Sequence, residues 1–189
     1  MIQPQAATTL TPTAGGHLGL SAETLSDIIG KLDWSFDAKA GTVAVSRKPL
    51  QVDGTRVKIN SFMFGIPILK VHADDEAARR FFFDTGAAVS YWQNERIESH
   101  AQAGVYQDYF PGFGSFETQT FRVPFRLETV GDDDAVVTPL RTGTLPKALA
   151  GIVKGIKCEG IIGNEVLLNR TFGYFRRRRL IVLGSHGLD

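Results

Sequence analysis

The spacing of apolar residues along the chain predicts a series of short strands separated by turns. The expected strands cover Trp34–Phe36, Thr42–Val45, Phe62–Val71, Phe81–Phe83, Val105–Phe110, Phe116–Leu127 and Leu180–Leu183. The segment Pro111–Gly114 separates two of them and predicts a turn, because proline fixes one φ angle and glycine permits a positive one. Many short strands with few helices indicate a mainly β domain.

Helical periodicity is confined to a few short segments. Apolar residues at i, i+3, i+4 and i+7 predict a helix over Leu20–Leu32. A second short helix is expected over Leu145–Val153, beginning at Pro146, because proline is favoured in the first helical turn. A third is expected over Asn164–Asn169, directly after Gly160–Gly163.

Composition divides the chain into three parts. Residues 1–16 are rich in Thr, Ala, Pro, Gln and Gly without a period and predict a flexible N-terminal arm. Residues 17–56 predict an extension made of a helix and a β-hairpin that turns at Lys39–Gly41. Residues 57–189 predict the main β domain.

The extension also resembles the C-terminal end of the chain, which suggests a partial repeat. Trp34–Asp37 corresponds to Phe172–Phe175, and Gly41–Val45 corresponds to Arg179–Leu183. In this alignment the run Arg176–Arg179 takes the place of a hairpin turn, so we expect an exposed turn rather than a site for phosphate or an acidic partner.

Charge and composition exclude several classes of function. The chain has 21 Lys and Arg residues against 20 Asp and Glu residues, which argues against a globally basic nucleic-acid-binding protein. No apolar run approaches the ~18 residues of a membrane helix, and Met1–Gln5 lacks the features of a secretory signal, so a cytoplasmic protein without membrane contact is expected. Cys158 is the single cysteine, which excludes an internal disulfide. Neither the histidines nor the acidic turn Asp132–Asp134 has metal-ligand spacing, so no metal is expected.

Asp84 is the most informative ionisable residue, because it directly follows three phenylalanines. Burying a carboxylate costs several kcal/mol unless it is hydrogen-bonded, paired or protonated. Thr85 supplies a hydroxyl group and Gly86 allows close backbone approach, so the three residues can hold a carboxylate in a fixed orientation. The same triplet also suits an ordinary turn at the end of a strand, and both interpretations stay open at this point.

The surroundings of this triplet resemble the retropepsin-like aspartic proteases, and the single-domain bacterial members most of all. Asp84-Thr85-Gly86-Ala87 follows an apolar strand as in the family's active-site signature, with Ser90 further along. Gly160–Gly163 is similar to the second landmark, which passes under the catalytic loop and leads into a short helix. Asp108–Thr118 lies between them, where the family has its flap hairpin. The resemblance covers Phe62–Leu183 and implies a closed β-barrel of the acid protease fold.

The resemblance also implies a reaction: peptide hydrolysis by water activated between two aspartates, without a cofactor. The chain has one Asp-Thr-Gly triplet, so the simplest completion is a homodimer in which each copy contributes Asp84. Thr85 would then bond to the partner, and Gly86 and Ala87 would complete the active-site loop. Ile161, Ile162 and Gly163 would support the pocket. The flap, which would cover a polypeptide substrate, comprises Tyr109, Phe110, Pro111, Gly112, Phe113 and Gly114.

Departures from the family pattern leave two further hypotheses open. Ala88 stands where the family usually has Asp or Ser, and Leu18–Val45 could replace, extend or obstruct the expected dimer interface. One alternative is therefore a catalytically silent binding or assembly module of the same fold. The other is pairing with a different polypeptide that carries the second aspartate.

Overall fold

Strands dominate the part of the chain that the structure describes, which confirms the mainly β class. The computed structural model describes residues 30–38, 40–63, 65–74, 77–131 and 137–184. They divide into a central unit, residues 58–168, and a terminal unit that combines the residues up to 57 with those from 169 onward. The predicted arm, most of the helix predicted over Leu20–Leu32 and the acidic turn Asp132–Asp134 lie outside the described residues.

The described residues form twelve strands and one α-helix. The strands are β1 Asp33–Asp37, β2 Thr42–Ser46, β3 Thr55–Met63, β4 Ile66–Ala73, β5 Arg79–Phe83, β6 Ser90–Trp92, β7 Gln102–Phe110, β8 Gly114–Leu127, β9 Val137–Gly143, β10 Gly160–Ile162, β11 Thr171–Phe175 and β12 Leu180–Leu183. The helix is α1, Lys147–Gly155, and short 3-10 helices cover Glu95–Ser99, Asn164–Leu167 and Arg176–Arg178. In this part of the chain, no helix has the length and apolar character needed to cross a membrane.

The central unit is one sheet in which β4 pairs with the distant strand β8 as well as with its two neighbours. Hydrogen-bonded neighbours follow the order β3, β4, β5, β10, β6, β9, β8, β7. β4 also pairs with β8, with Val71–Ala73 opposite Phe125–Leu127. Pairing from β4 through β5, β10, β6, β9 and β8 therefore leads back to β4. β10 lies parallel to β5 and antiparallel to β6, which places it between the two strands that flank Asp84.

The three phenylalanines of β5 do not all enter the core, although the sequence predicted a wholly buried strand. Phe81 and Phe83 are buried, and the Phe81 ring contacts Phe125 edge-on with ring centroids 5.4 Å apart. Phe82 is only partly buried, because successive side chains of a strand point to opposite faces. The strand that precedes Asp84 is thus anchored through two rings and presents a third on its other face.

The predicted hairpin between β7 and β8 is confirmed. Phe110 lies opposite Gly114, and the Phe113 backbone N–H donates to the Phe110 carbonyl at 3.0 Å. Gly112 and Gly114 have φ angles of 83° and 101°, which glycine adopts without strain. Gly114 itself begins β8, so the strand starts earlier than the sequence pattern indicated.

The two short helices that follow the hairpin are also close to their predicted positions. α1 begins at Lys147, and the Pro146 carbonyl accepts a hydrogen bond from the Ala150 N–H at 2.9 Å. The 3-10 helix Asn164–Leu167 directly follows Gly163, as expected from the landmark around Gly160–Gly163.

In the terminal unit, the two segments that resemble one another in sequence lie side by side. Its strands follow the order β2, β1, β11, β12, and all pair antiparallel. The hairpins β1–β2 and β11–β12 have the same internal register: Trp34 lies opposite Val45, and the equivalent Phe172 lies opposite Leu183. The equivalent turn residues Gly41 and Arg179 both have positive φ, 62° and 54°. The four strands are therefore two equivalent hairpins joined through β1 and β11.

The predicted turn at Arg176–Arg179 is present, but two of its arginines, Arg177 and Arg178, pair with a buried carboxylate. Asp33 is 1% exposed, and its Oδ2 lies 2.7 Å from a terminal guanidinium nitrogen of Arg178. The Arg178 guanidinium also stacks on the Phe175 ring, 3.8 Å from its centroid. The Leu50 N–H donates to the same carboxylate oxygen at 3.0 Å. These contacts stabilise the terminal unit because a buried carboxylate needs both a counter-charge and hydrogen bonds.

Candidate functional site

Hydrogen bonds hold the Asp84 carboxylate in one orientation at the end of β5. The Asp84 N–H donates to the Ile162 carbonyl at 3.0 Å, which fixes the start of the loop to β10. The Gly86 N–H donates to Asp84 Oδ1 at 2.8 Å, and the Ala87 N–H donates to the Asp84 carbonyl at 3.2 Å. A Cβ atom at Gly86 would lie 3.1 Å from Asp84 Oδ1, so glycine leaves room for the carboxylate. The loop thus presents a half-buried carboxylate with one oxygen already bonded.

The segment Ile161–Gly163 passes directly beneath this loop. The Gly163 N–H donates to Ser90 Oγ at 3.1 Å, and the Asn164 N–H donates to the Ala87 carbonyl at 2.8 Å. A Cβ atom at Gly163 would stand 2.5 Å from the Val89 carbonyl oxygen, so only glycine fits at this crossing. The buried Ser90 hydroxyl and this glycine therefore act together to bind two distant parts of the chain.

Asn164 makes a second bond to the loop, which sequence reasoning did not identify. Its side-chain amide donates to the Thr85 carbonyl at 3.3 Å. Through its backbone and side chain, Asn164 thus supports both ends of Thr85–Ala87. Thr85 itself is exposed.

A cleft of about 360 Å³ opens in front of Asp84 within the central unit. Seven of the residues singled out from the sequence line it: Asp84, Gly86, Ala87, Tyr109, Phe110, Pro111 and Ile161. The hairpin residues among them are exposed, with Tyr109 at 64% and Phe110 at 43%. The structure therefore brings the Asp-Thr-Gly loop and the start of the hairpin turn to one cavity.

The other predicted site residues do not line the cleft. Gly112 and Gly114 shape the hairpin turn, and the Phe113 ring packs edge-on against Phe116 with centroids 6.0 Å apart. Ile162 has no exposed surface, and Gly163 is buried behind the loop. Of the aromatic residues of the predicted flap, Tyr109 and Phe110 border the cavity and Phe113 does not.

One wall of the cleft is α1, which sequence analysis predicted as a helix but not as part of the site. The residues Leu149, Ile152, Val153 and Ile156 all border the cavity. Their spacing of i, i+3, i+4 and i+7 places them on one helical face. This apolar periodicity could have been read from the sequence, but nothing in it indicated what the face would contact.

Tyr91 connects β6 to the hairpin. Its hydroxyl donates a short hydrogen bond to Asp108 Oδ2, and the Tyr109 N–H donates to Asp108 Oδ1 at 2.8 Å. Burial raises the pKa of Tyr91 above its ordinary value, and the neighbouring Asp108 carboxylate raises it further. The phenol therefore stays protonated as a donor. Its ring also contacts Phe116, with centroids 6.2 Å apart.

The charge in the cleft is entirely acidic. Of the described residues that line it, Asp84 and Asp108 are the only charged ones. The remaining lining residues are apolar, aromatic or glycine, including Phe82, Leu145 and Ile161. Within the described parts of the chain, no group of three or more His, Cys, Asp or Glu residues is placed to hold a metal ion.

Comparison with known proteins gives neither a family nor a function for this site. No protein-family model matches the chain, and no curated protein matches it.

Proposed function

We propose that the protein is an aspartic endopeptidase of the retropepsin-like type, with Asp84 as its catalytic residue. The observation that carries this proposal is the set of hydrogen bonds that fixes the Asp84 loop to Ile162–Asn164 and, through the Gly86 N–H, orients the Asp84 carboxylate at an apolar cleft. The strand pairing that returns to β4 supports a closed barrel as the underlying fold.

The chemistry requires a second carboxylate close to Asp84, which a second copy of the chain would supply. Two carboxylates a few Å apart share one proton, since like charges at that distance cannot both be ionised. The ionised carboxylate accepts a proton from water, and the protonated one donates to the peptide carbonyl oxygen. Water attacks the carbonyl carbon directly, so no covalent intermediate with the enzyme forms. The exposed Thr85 in each copy is available to contact the partner loop.

The substrate would be a polypeptide bound in extended form between the hairpin and Asp84. β7 is an edge strand of the central sheet, so one side of its backbone can bond an added strand. The aromatic and aliphatic lining of the cleft provides contacts for apolar side chains, among them Phe82 and Ile161 on one side and Leu149 on another. Backbone bonding would supply affinity, and these side-chain pockets would supply selectivity.

A second candidate function, a catalytically silent binding module, is favoured by one specific observation. β11 pairs with β12 on one side and with β1 of the same chain on the other, so neither side of β11 is open to a second copy. The family ties its dimer through a sheet of chain ends, and here an internal hairpin occupies β11. A chain that stays monomeric would keep a single Asp84 and would bind peptides without cleaving them.

Cleavage of a peptide library by wild type and by Asp84→Asn tests the proposal between about pH 4 and 7, where shared carboxylate dyads operate. We expect cleavage by wild type, loss of it in Asp84→Asn, and no change in the control Asp53→Asn, which removes an exposed carboxylate outside the cleft. Sedimentation under the same conditions gives the oligomeric state. Equal cleavage by wild type and Asp84→Asn would overturn the proposal, and monomers that bind but do not cleave would favour the binding module. Co-purification of an unequal chain that restores cleavage would identify a different partner.

A further inference from the structure

Asp108 is the second charged residue of the cleft, and its carboxylate is held in place by two donors. The Tyr91 hydroxyl bonds one oxygen, and the Tyr109 backbone N–H bonds the other. Together the two donors fix the orientation of the carboxylate. Each oxygen keeps a further lone pair for a ligand.

The charge of Asp108 has no counter-ion in the wall of the cleft. Among the described residues that line the cavity there is no Lys, Arg or His. Asp108 is half-buried, and a substrate bound over it would remove its carboxylate further from water, which costs free energy unless the substrate brings a cation to it. A substrate that carries a basic side chain would supply that cation, whereas an apolar side chain at the same point would leave the carboxylate desolvated and unpaired.

The position of Asp108 on the hairpin places its carboxylate where a basic side chain of a bound peptide could pair with it. Asp108 lies opposite Phe116 in the β7–β8 register, next to Tyr109 and Phe110, which also border the cavity. Since the hairpin would cover the substrate, the Asp108 carboxylate would face the bound peptide. Its contribution would therefore be to substrate selection.

We propose that Asp108 is a specificity-determining residue that selects peptides with a Lys or Arg side chain within an otherwise apolar segment. The proposal rests on the proposed endopeptidase function. A purely structural role, in which Asp108 only joins the hairpin to Tyr91, makes a different prediction, because it would affect basic and apolar peptides equally.

The test uses paired peptides that differ only by Lys or norleucine at each position around the scissile bond. With wild type, we expect kcat/KM for the Lys peptide to exceed that for the norleucine peptide at one position. Asp108→Asn should lower kcat/KM for the Lys peptide by about 10-fold to 100-fold, the range for a hydrogen bond to a charged group, and leave the norleucine peptide nearly unchanged. Glu117→Gln is the matched control, since it removes an exposed carboxylate of the same hairpin that does not line the cleft.

The outcomes separate this inference from the proposed function. Cleavage that depends on Asp84 but shows no preference for Lys at any position would overturn the role of Asp108 and leave the endopeptidase standing. If neither wild type nor Asp84→Asn cleaves, the same peptide pairs are labelled with a fluorophore and their binding to the full chain is measured. Tighter binding of the Lys peptide would support the role of Asp108, and equal binding of the two peptides would overturn it.

A second variant keeps the test valid if Asp108→Asn is poorly folded. Tyr91→Phe removes one hydrogen-bond donor to Asp108 but leaves the Asp108 carboxylate in place, so the preference for the Lys peptide should persist. Equal losses on both peptides in Tyr91→Phe and Asp108→Asn would instead assign Asp108 a structural role.

Discussion

Ser35 of β1 lies directly opposite Gly173 of β11, at the middle of the sheet formed by the two ends of the chain. Around this pair, Phe36 lies opposite Phe172 and their rings stack with centroids 5.6 Å apart. The hairpins β1–β2 and β11–β12 share one register. The hairpin β1–β2 therefore lies beside β11 where the β11–β12 hairpin of a second copy would lie in a twofold-symmetric sheet. The terminal unit thus contains within one chain two equivalent hairpins in a twofold-symmetric register.

An engineered disulfide tests whether β1 and β11 of the same molecule are paired. Asp37 lies opposite Thr171, and opposite residues of antiparallel strands have Cα atoms about 4.5–5.5 Å apart, within the range for a disulfide. We expect Asp37→Cys with Thr171→Cys to oxidise to an intrachain bond and to run as a monomer on non-reducing electrophoresis.

The single-cysteine variants serve as controls for this experiment and should give no intrachain bond. The native Cys158 should not interfere, because burial raises the pKa of its thiol and keeps it unreactive, although Arg80 acts in the opposite direction. A covalent dimer as the main product of the double variant would contradict intrachain pairing and would show that β1 is exchanged between copies.

Local sequence patterns were sufficient to predict the parts of the site that depend on neighbouring residues. The turn at Pro111–Gly114 follows from proline and glycine chemistry, and Asp84 was singled out by its place after three phenylalanines. The segment Gly160–Gly163 was singled out by its resemblance to a family landmark, and the structure places its two glycines in close contact with the Tyr91 and Val89 backbone.

The parts that depend on long-range pairing could not be predicted in the same way. Asp108 reaches Tyr91 because the β7–β8 pairing places Asp108 opposite Phe116. A shift of this register by one residue would turn the Asp108 side chain to the other face of the sheet. The bond between Asp33 and Arg178 likewise needs two hairpins from opposite ends of the chain to meet. Alternation and turn signals determine which residues form strands but do not determine which strands pair.

The crossing beneath the Asp84 loop should tolerate only glycine at position 163. In Gly163→Ala the new methyl group would stand 2.5 Å from the Val89 carbonyl oxygen and 2.8 Å from that of Ala87. We expect the free energy of unfolding to fall by about 1–3 kcal/mol, the usual cost of overpacking, and the Asp84-dependent cleavage to fall with it. Urea denaturation followed by circular dichroism measures the first effect.

Gly151 provides the matched control for this glycine substitution. It lies in α1, is exposed, and has no atom within 4 Å of an added Cβ. Gly151→Ala should therefore raise the free energy of unfolding by about 0.5–1 kcal/mol through helix propensity. Equal stability of Gly163→Ala and wild type would contradict the tight crossing described above.

The bond between Tyr91 and Asp108 makes stability depend on pH in the alkaline range. The pKa of Tyr91 in the folded protein is raised above the ordinary value of 10.0, first by burial and then by the Asp108 carboxylate. Below pH 10 the phenol is protonated in both the folded and the unfolded state. Above it the unfolded chain releases this proton while the folded protein retains it, so the free energy of unfolding falls as pH rises.

Tyr91→Phe isolates this contribution, because phenylalanine keeps the buried ring and has no proton to lose. At neutral pH we expect the variant to be less stable than wild type by about 1 kcal/mol, the usual value of one hydrogen bond. Between pH 10 and 12 the stability advantage of wild type over Tyr91→Phe should fall by up to about 1.4 kcal/mol per pH unit. The reason is that ionisation of residue 91 stabilises the unfolded state of wild type only. Urea denaturation at a series of pH values measures both proteins, with Tyr109→Phe as the control at an exposed phenol. A stability difference that stays constant across this range would mean that the Tyr91 phenol is not the buried donor to Asp108.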